Sequence, residues 1–335
     1  MSSSKLSLAG LALAALACSK STAPGSASSS VWAASDLGLG RCTALNASGQ
    51  VAGVDESTPT NATFLIAPGG ARTGLGVFQA GSMAVGVAIN TQGIVAGYSE
   101  GPSGRTAIIY SNGAWSALAG LTDAWSVAAG IDDAGDVVGM AGPAVIGQMH
   151  GFQWTAGAVS LLPVSATLRS AVAAAGPSGR SAGIVEATNG DTHAFALSRG
   201  TLTELATLGG KNASAYAMDS KGNIVGSSET AAGPRHAALF PISGAPVDLG
   251  LPSGAALSEA RGIDEQGRIA GNAVDTAGIS LPYQFIAGKA PVPLSMPADF
   301  TSAHIAAVAA NGLMTGWGTT GANDGSHCIL WTPGN

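Results

Sequence analysis

A pair of glycines recurs along this chain at nearly constant intervals. Gly49, Gly93, Gly135, Gly179, Gly222, Gly267 and Gly312 follow one another at spacings of 44, 42, 44, 43, 45 and 45 residues. Four residues after each stands another glycine: Gly53, Gly97, Gly139, Gly183, Gly226, Gly271 and Gly316. A fold for this chain must therefore repeat one unit of about 44 residues seven times, and a period of that length marks a solenoid, a propeller or a linear array.

The local chemistry of the unit is that of a β-hairpin. Three residues before the first glycine stands Asn46, Asn90, Asp132, Asp219 or Asp264; Gly176 and Ala309 replace it in units four and seven. An Asn or Asp opening a turn that closes on Gly is a type I turn signature, because the side chain caps the turn and Gly accepts positive φ. The seventh unit uses Asn311–Gly312 instead, another strong turn signal. Short apolar runs flank each turn. A third run follows about ten residues on ("TFLIA", "AIIYS", "GFQWT", "AFALS"), and a fourth ends on Leu ("WSAL", "VSLL", "LTEL"). Four strands in about 44 residues are a propeller blade. The expected fold is all-β: a seven-bladed β-propeller over residues 31–335, with four antiparallel strands per blade.

The two ends predict how the ring closes. The last unit stops at "CILWTPGN" without a fourth strand, while residues 31–40, "VWAASDLGLG", form a fourth strand without the preceding three and match "APVDLGLP" at 245–252. An N-terminal strand that completes the last blade leaves no open sheet edge at the seam. The supplied strand is then outermost, and the Ala/Gly-rich first strand of each unit lies innermost, where small side chains fit. Cys42 and Cys328 fall on neighbouring blades of such a ring. The expectation is either a disulfide clasping the seam or two buried free thiols.

Residues 1–30 read differently. Residues 6–17, "LSLAGLALAALA", form an apolar run too short to span a bilayer as a helix but suited to a signal peptide. Small residues precede Cys18, as in a bacterial lipoprotein signal, which would make Cys18 the lipidated N-terminus; an ordinary secretory signal is the alternative. The division is a signal over 1–17, a Ser/Gly/Pro-rich tether over 18–30 and the propeller over 31–335. Both readings take the protein out of the cytoplasm, to an outer-membrane or cell-surface position if lipidated, otherwise secreted or periplasmic. Any membrane contact is expected through the lipid anchor alone.

Composition excludes one class of partner. Charged residues make up 10% of the chain, the net charge is −6, and no Lys/Arg run is present. Nucleic-acid binding is not expected.

The stretch "LATLGGKNASAYAMDSKGNIVGSS", residues 205–228, with "HAALF" at 236, resembles the bacterial extracellular HAF-repeat proteins. The tripeptide itself stands at His193, Ala194 and Phe195 and is degraded to "HGF", "HAA" and "HCI" elsewhere. The resemblance covers residues 31–335. It implies export and a repeat fold, and no established reaction.

Candidate chemistry is sparse. His150, His193, His236 and His327 share one repeat position, which reads as packing and hydrogen bonding to a neighbouring loop rather than a metal ring. "DDAGD", residues 132–136, lacks the spacing of an EF-hand-type loop. No catalytic elbow, metalloprotease helix or phosphate loop is present, and neither a metal nor a cofactor is expected. What remains is the loop face opposite the hairpins, where Trp125, Tyr216, Glu259, Arg261, Phe300 and His304 are expected to converge. Mixed aromatic and polar groups on a rigid scaffold suit a ligand. The expected role is a monomeric, non-enzymatic binding module for a glycan, peptide or protein. A hydrolase or lyase acting on polysaccharide and a purely structural envelope protein are the alternatives.

Overall fold

The computed structural model describes residues 32–57, 61–102, 104–143, 148–165, 168–322 and 324–334. The signal segment, the tether, Cys18 and residue 31 lie outside them.

Seven four-stranded antiparallel sheets form the ring. Blade one comprises Arg41–Leu45, Val51–Val54, Thr63–Ile66 and Arg72–Gly76. Blades two to six repeat the order, with first strands Met83–Ile89, Trp125–Ile131, Ser170–Gly176, Gly209–Met218 and Ala255–Ile263. Blade seven takes three strands from the C-terminal end, Phe300–Val308, Met314–Thr320 and Ser326–Pro333, and its outer strand from Trp32–Leu39. That N-terminal strand runs antiparallel to the last, with Trp32 opposite Pro333 and Asp36 opposite Ile329.

The seven hairpins share one construction. The first glycine of every repeat has positive φ, from +68° at Gly179 to +98° at Gly222. In the five units that carry Asn or Asp, its N–H donates to the carbonyl of that residue, as from Gly49 to Asn46 at 3.0 Å. The Asn or Asp side chain is buried and accepts from backbone N–H groups across the turn, as Asn46 does from Ser48 and Gln50. Blade four, which lacks Asn or Asp, turns through a single 3-10 turn at Pro177–Gly179.

The second glycine has a different cause. In every blade the first strand bulges by one residue just before the hairpin: Thr43, Val87, Ala129, Ala173, Tyr216, Arg261 and Ala306 have no partner on the second strand. The bulge presses a first-strand carbonyl onto the opposing backbone. A Cβ on Gly97 would overlap the Val85 carbonyl, and one on Gly226 the Ser214 carbonyl. Only Gly fits there.

The core is distributed. Seven apolar clusters form, one at each junction between adjacent blades. The Leu that ends each fourth strand is the wedge: Leu118, Leu162, Leu249 and Leu294 are almost fully buried between their own blade and the next. In blade seven the N-terminal strand supplies Leu37 to the seam cluster.

Polar contacts also cross every junction on the hairpin face. Asn46 donates to the Asn90 carbonyl and Asn90 to that of Asp132. Gln153, Arg180 and Lys221 continue the series into blades four, five and six. Arg268 then reaches the Asn311 carbonyl, and Asn311 the Ala47 carbonyl, which returns to blade one. At the seam Cys42 and Cys328 form a disulfide with Cα atoms 4.9 Å apart, both fully buried.

Candidate binding face at the channel mouth

The bulges position the side chains that matter. First-strand residues alternate between the blade junctions and the ring axis. Cys42, Ala128, Ala260 and Ile305 are buried in junction clusters, while Arg41, Glu259 and His304 alternate with them and remain partly exposed. The bulged residue two positions on re-aims toward the axis. At that position most blades carry Thr, Val or Ala; blades five and six carry Tyr216 and Arg261.

These groups meet. The Arg261 guanidinium lies over the Tyr216 ring at 4.7 Å. Its Nη1 is 3.9 Å from Glu259 Oε1, a long ion pair. Asn272, fully buried on the second strand of blade six, donates to the Ile305 carbonyl at 3.1 Å and accepts the Ile305 N–H at 2.7 Å. Its Nδ2 also faces Glu259 Oε1 at 3.4 Å and His304 Nε2 at 3.3 Å. His304 stacks on Trp317 at 5.5 Å, and Arg41 lies over the same indole at 5.4 Å. Arg41 is paired with Glu56 at 3.3 Å.

Further round, Arg105 lies over both Tyr98 (4.7 Å) and Trp125 (5.4 Å) and is held by Glu100 at 2.9 Å. The result is an arc of alternating cations and aromatics that runs from blade five through the seam to blade three. Each such contact is worth about 0.5–2 kcal/mol, depending on desolvation.

The electrostatics follow from burial. Desolvation by burial, helped by the nearby Arg261 cation, lowers the His304 pKa to about 4. His304 is therefore neutral at physiological pH, and in the tautomer protonated at Nδ1 its Nε2 accepts from Asn272. Burial raises the Tyr98 pKa against the opposing pull of Arg105.

Of the six expected residues, Tyr216, Glu259, Arg261 and His304 form one contiguous group. Trp125 joins the arc only through Arg105, two blades beyond the seam. Phe300 does not belong to it: its ring packs edge-on against His327 at 5.6 Å, on the outer side of blade seven. Five members were not foreseen: Arg41, Tyr98, Arg105, Asn272 and Trp317. Tyr98, Asn272 and Trp317 occupy one repeat position, the residue after the second glycine, where other blades carry Val54, Met140, Ile184 and Ser227. The departure from small or aliphatic residues at that position is the signal that would have found them.

The repeated histidines have a different partner from the one expected. Three of the four pair within their own blade, with a carboxylate on the outer strand: His193 with Glu204 at 2.6 Å, His236 with Asp248 at 2.9 Å, and His327 with Asp36 at 2.9 Å. At His150 the position of those acids is taken by Leu161. Among the described residues no three His, Cys, Asp or Glu side chains group as metal ligands.

The fold and mouth define the class: a seven-bladed propeller whose hairpin face is uniform and whose opposite face is individual. No family model and no curated protein matches the chain. Solved structures similar to it are propellers at low identity. An acylaminoacyl peptidase from Pyrococcus horikoshii aligns with TM-score 0.50 and 10% identity over 90% of this chain and 51% of that one. TolB from Acinetobacter baumannii aligns with TM-score 0.49 and 12% identity over 76% of this chain and 64% of that one. The Aleuria aurantia lectin, solved with α-methyl-L-fucoside, gives TM-score 0.42 and 14% identity over 77% and 96%. This chain thus spans about two thirds of TolB and half of the peptidase. These likenesses concern the fold.

Proposed function

We propose that this protein is an exported, non-enzymatic binding module that acts as a monomer and engages its ligand at the channel mouth. One observation carries the reading. On a scaffold that repeats seven times, the arc from Tyr216 through Arg261, His304, Trp317 and Arg41 departs from the repeat at successive positions and forms a single contact network. Rigid strands with bulge-aimed side chains are a preorganised recognition surface. Export rests on the apolar N-terminal run and the HAF-like repeats, with Cys18 as the proposed lipid anchor and residues 19–30 as the spacer.

The test is a combined glycan and peptide array probed with the purified mature protein. Binding that is lost in Trp317→Ala and Arg261→Gln, with circular dichroism unchanged, supports the reading. Binding that both variants retain moves the site elsewhere on the propeller.

A further inference from the structure

Arg261 is an arginine without a hydrogen bond. Among the described residues no acceptor engages any of its donors within hydrogen-bonding distance. Its Nε is buried and unpartnered, and the nearest carboxylate, Glu259, stands at 3.9 Å. The two other arginines of the arc have closer carboxylates: Arg105 is hydrogen-bonded to Glu100 at 2.9 Å, and Arg41 forms an ion pair with Glu56 at 3.3 Å. Arg261 is also held in place. Tyr216 stacks on it, and the bulge fixes its backbone. A half-buried guanidinium with unused donors is costly to maintain, because each desolvated donor lacks the water it gave up. A carboxylate satisfies it best, since the planar fork matches both oxygens at once.

The opposite wall says what should accompany that carboxylate. In a ring of seven, blade six faces blades two and three across the axis. Where blades six and seven carry Glu259 and His304, blade two carries Val85; the Val127 of blade three is buried. Where blades six and seven carry Asn272 and Trp317, blades three and four carry Met140 and Ile184. Val85, Met140 and Ile184 are partly exposed. At these positions the channel wall is polar at blades six and seven and aliphatic at Val85, Met140 and Ile184, with the Arg105 stack on Tyr98 and Trp125 beside it on blades two and three.

We infer that Arg261 receives the C-terminal carboxylate of a peptide whose last side chain is apolar and packs on the aliphatic wall. The inference rests on the mouth being the binding face. Glu259 competes for Arg261, so it restrains affinity for such a ligand while keeping the empty site close to neutral.

The experiment uses the purified mature protein and synthetic tripeptides ending in Val or Leu, each as the free acid and as the C-terminal amide, with a galacturonic acid trimer as a third probe. Titration is followed by intrinsic tryptophan fluorescence. The expected result is binding of the free acids, at least about tenfold weaker for the amides and for Arg261→Gln, and tighter in Glu259→Gln. Equal binding of acid and amide, or weaker binding in Glu259→Gln, overturns the carboxylate assignment but leaves the mouth as the binding face. Binding of the galacturonic trimer alone overturns the peptide terminus in favour of an acidic sugar. No binding of any free acid overturns the inference, whereas the glycan and peptide array judges the mouth separately.

Discussion

Asn311 donates its Nδ2–H to the Ala47 carbonyl at 2.8 Å and so joins the last blade to the first. The two residues are separated by nearly the whole propeller in sequence. In blade seven the usual Asn or Asp is replaced by Ala309, and the seam contact is made instead from within the turn, two residues later. Asn311→Asp removes the donor and sets a carboxylate against that carbonyl. The expected loss is about 0.5–1.5 kcal/mol, the net worth of an ordinary hydrogen bond, because the contact is solvent-exposed. Asn112→Asp, on the exposed turn of an outer hairpin, should change stability by less than about 0.5 kcal/mol. Urea unfolding of both variants checks the difference.

The two glycines of the repeat should respond differently to alanine. At Gly135 the new Cβ meets nothing within 4 Å, so only the positive φ opposes it, at a cost of about 1 kcal/mol. At Gly97 the Cβ overlaps the Val85 carbonyl, and backbone must move. Gly97→Ala should cost about 3 kcal/mol or more, as overpacking against backbone does. Equal melting temperatures for the two variants would contradict the bulge explanation.

The seam disulfide closes a loop across a sequence separation of 286 residues. Cys42→Ala with Cys328→Ala should lower stability by about 2–5 kcal/mol. The same loss should appear when the wild-type protein is unfolded under reducing conditions, and no further loss should appear when the double variant is reduced.

Two histidines should titrate in opposite directions from the ordinary value. The His304 pKa is lowered to about 4, burial being the main cause. The unfolded chain then takes up the proton first, so the stability contributed by His304 is lost as pH falls from about 6.5 toward 4. For His327, burial disfavours the charged form, but the hydrogen bonds to Asp36 and Asp324 outweigh it and the pKa is raised. Its contribution is complete below about 6.5 and is lost as pH rises through the raised folded value. Solvent screening keeps the His327–Asp36 pair below about 1 kcal/mol. Ring-proton resonances followed by NMR from pH 3.5 to 8.5 should show His304 titrating well below His327. His327→Gln should flatten the alkaline slope of stability.

Much of the scaffold was legible because its residues serve the same local purpose seven times. The Asn and Asp turn openers, the positive-φ glycines and the Leu wedges each recur at a fixed position, so periodicity exposes them. The bulge is not legible, because it changes pairing without changing the text: nothing in the sequence around Gly97 and Gly226 marks the first-strand carbonyls that press on them. The site was half legible for the same reason. Tyr216, Glu259, Arg261 and His304 stand out as polar or aromatic groups in first strands of small residues. Trp317 and Asn272 sit within the recurring second strand and were read as scaffold. Phe300 was misplaced because a residue at the start of a first strand can turn outward, as it does here over Gly318 toward His327.

The most direct measurement is hydrogen exchange of the mature protein with and without a ligand selected on the array. Protection is expected in segments 41–43, 214–217, 258–262, 303–306 and 316–318, and not in the hairpins at 46–50, 90–94 or 219–223. Protection confined to those hairpins, or to the outer strands, would contradict a binding face at the channel mouth.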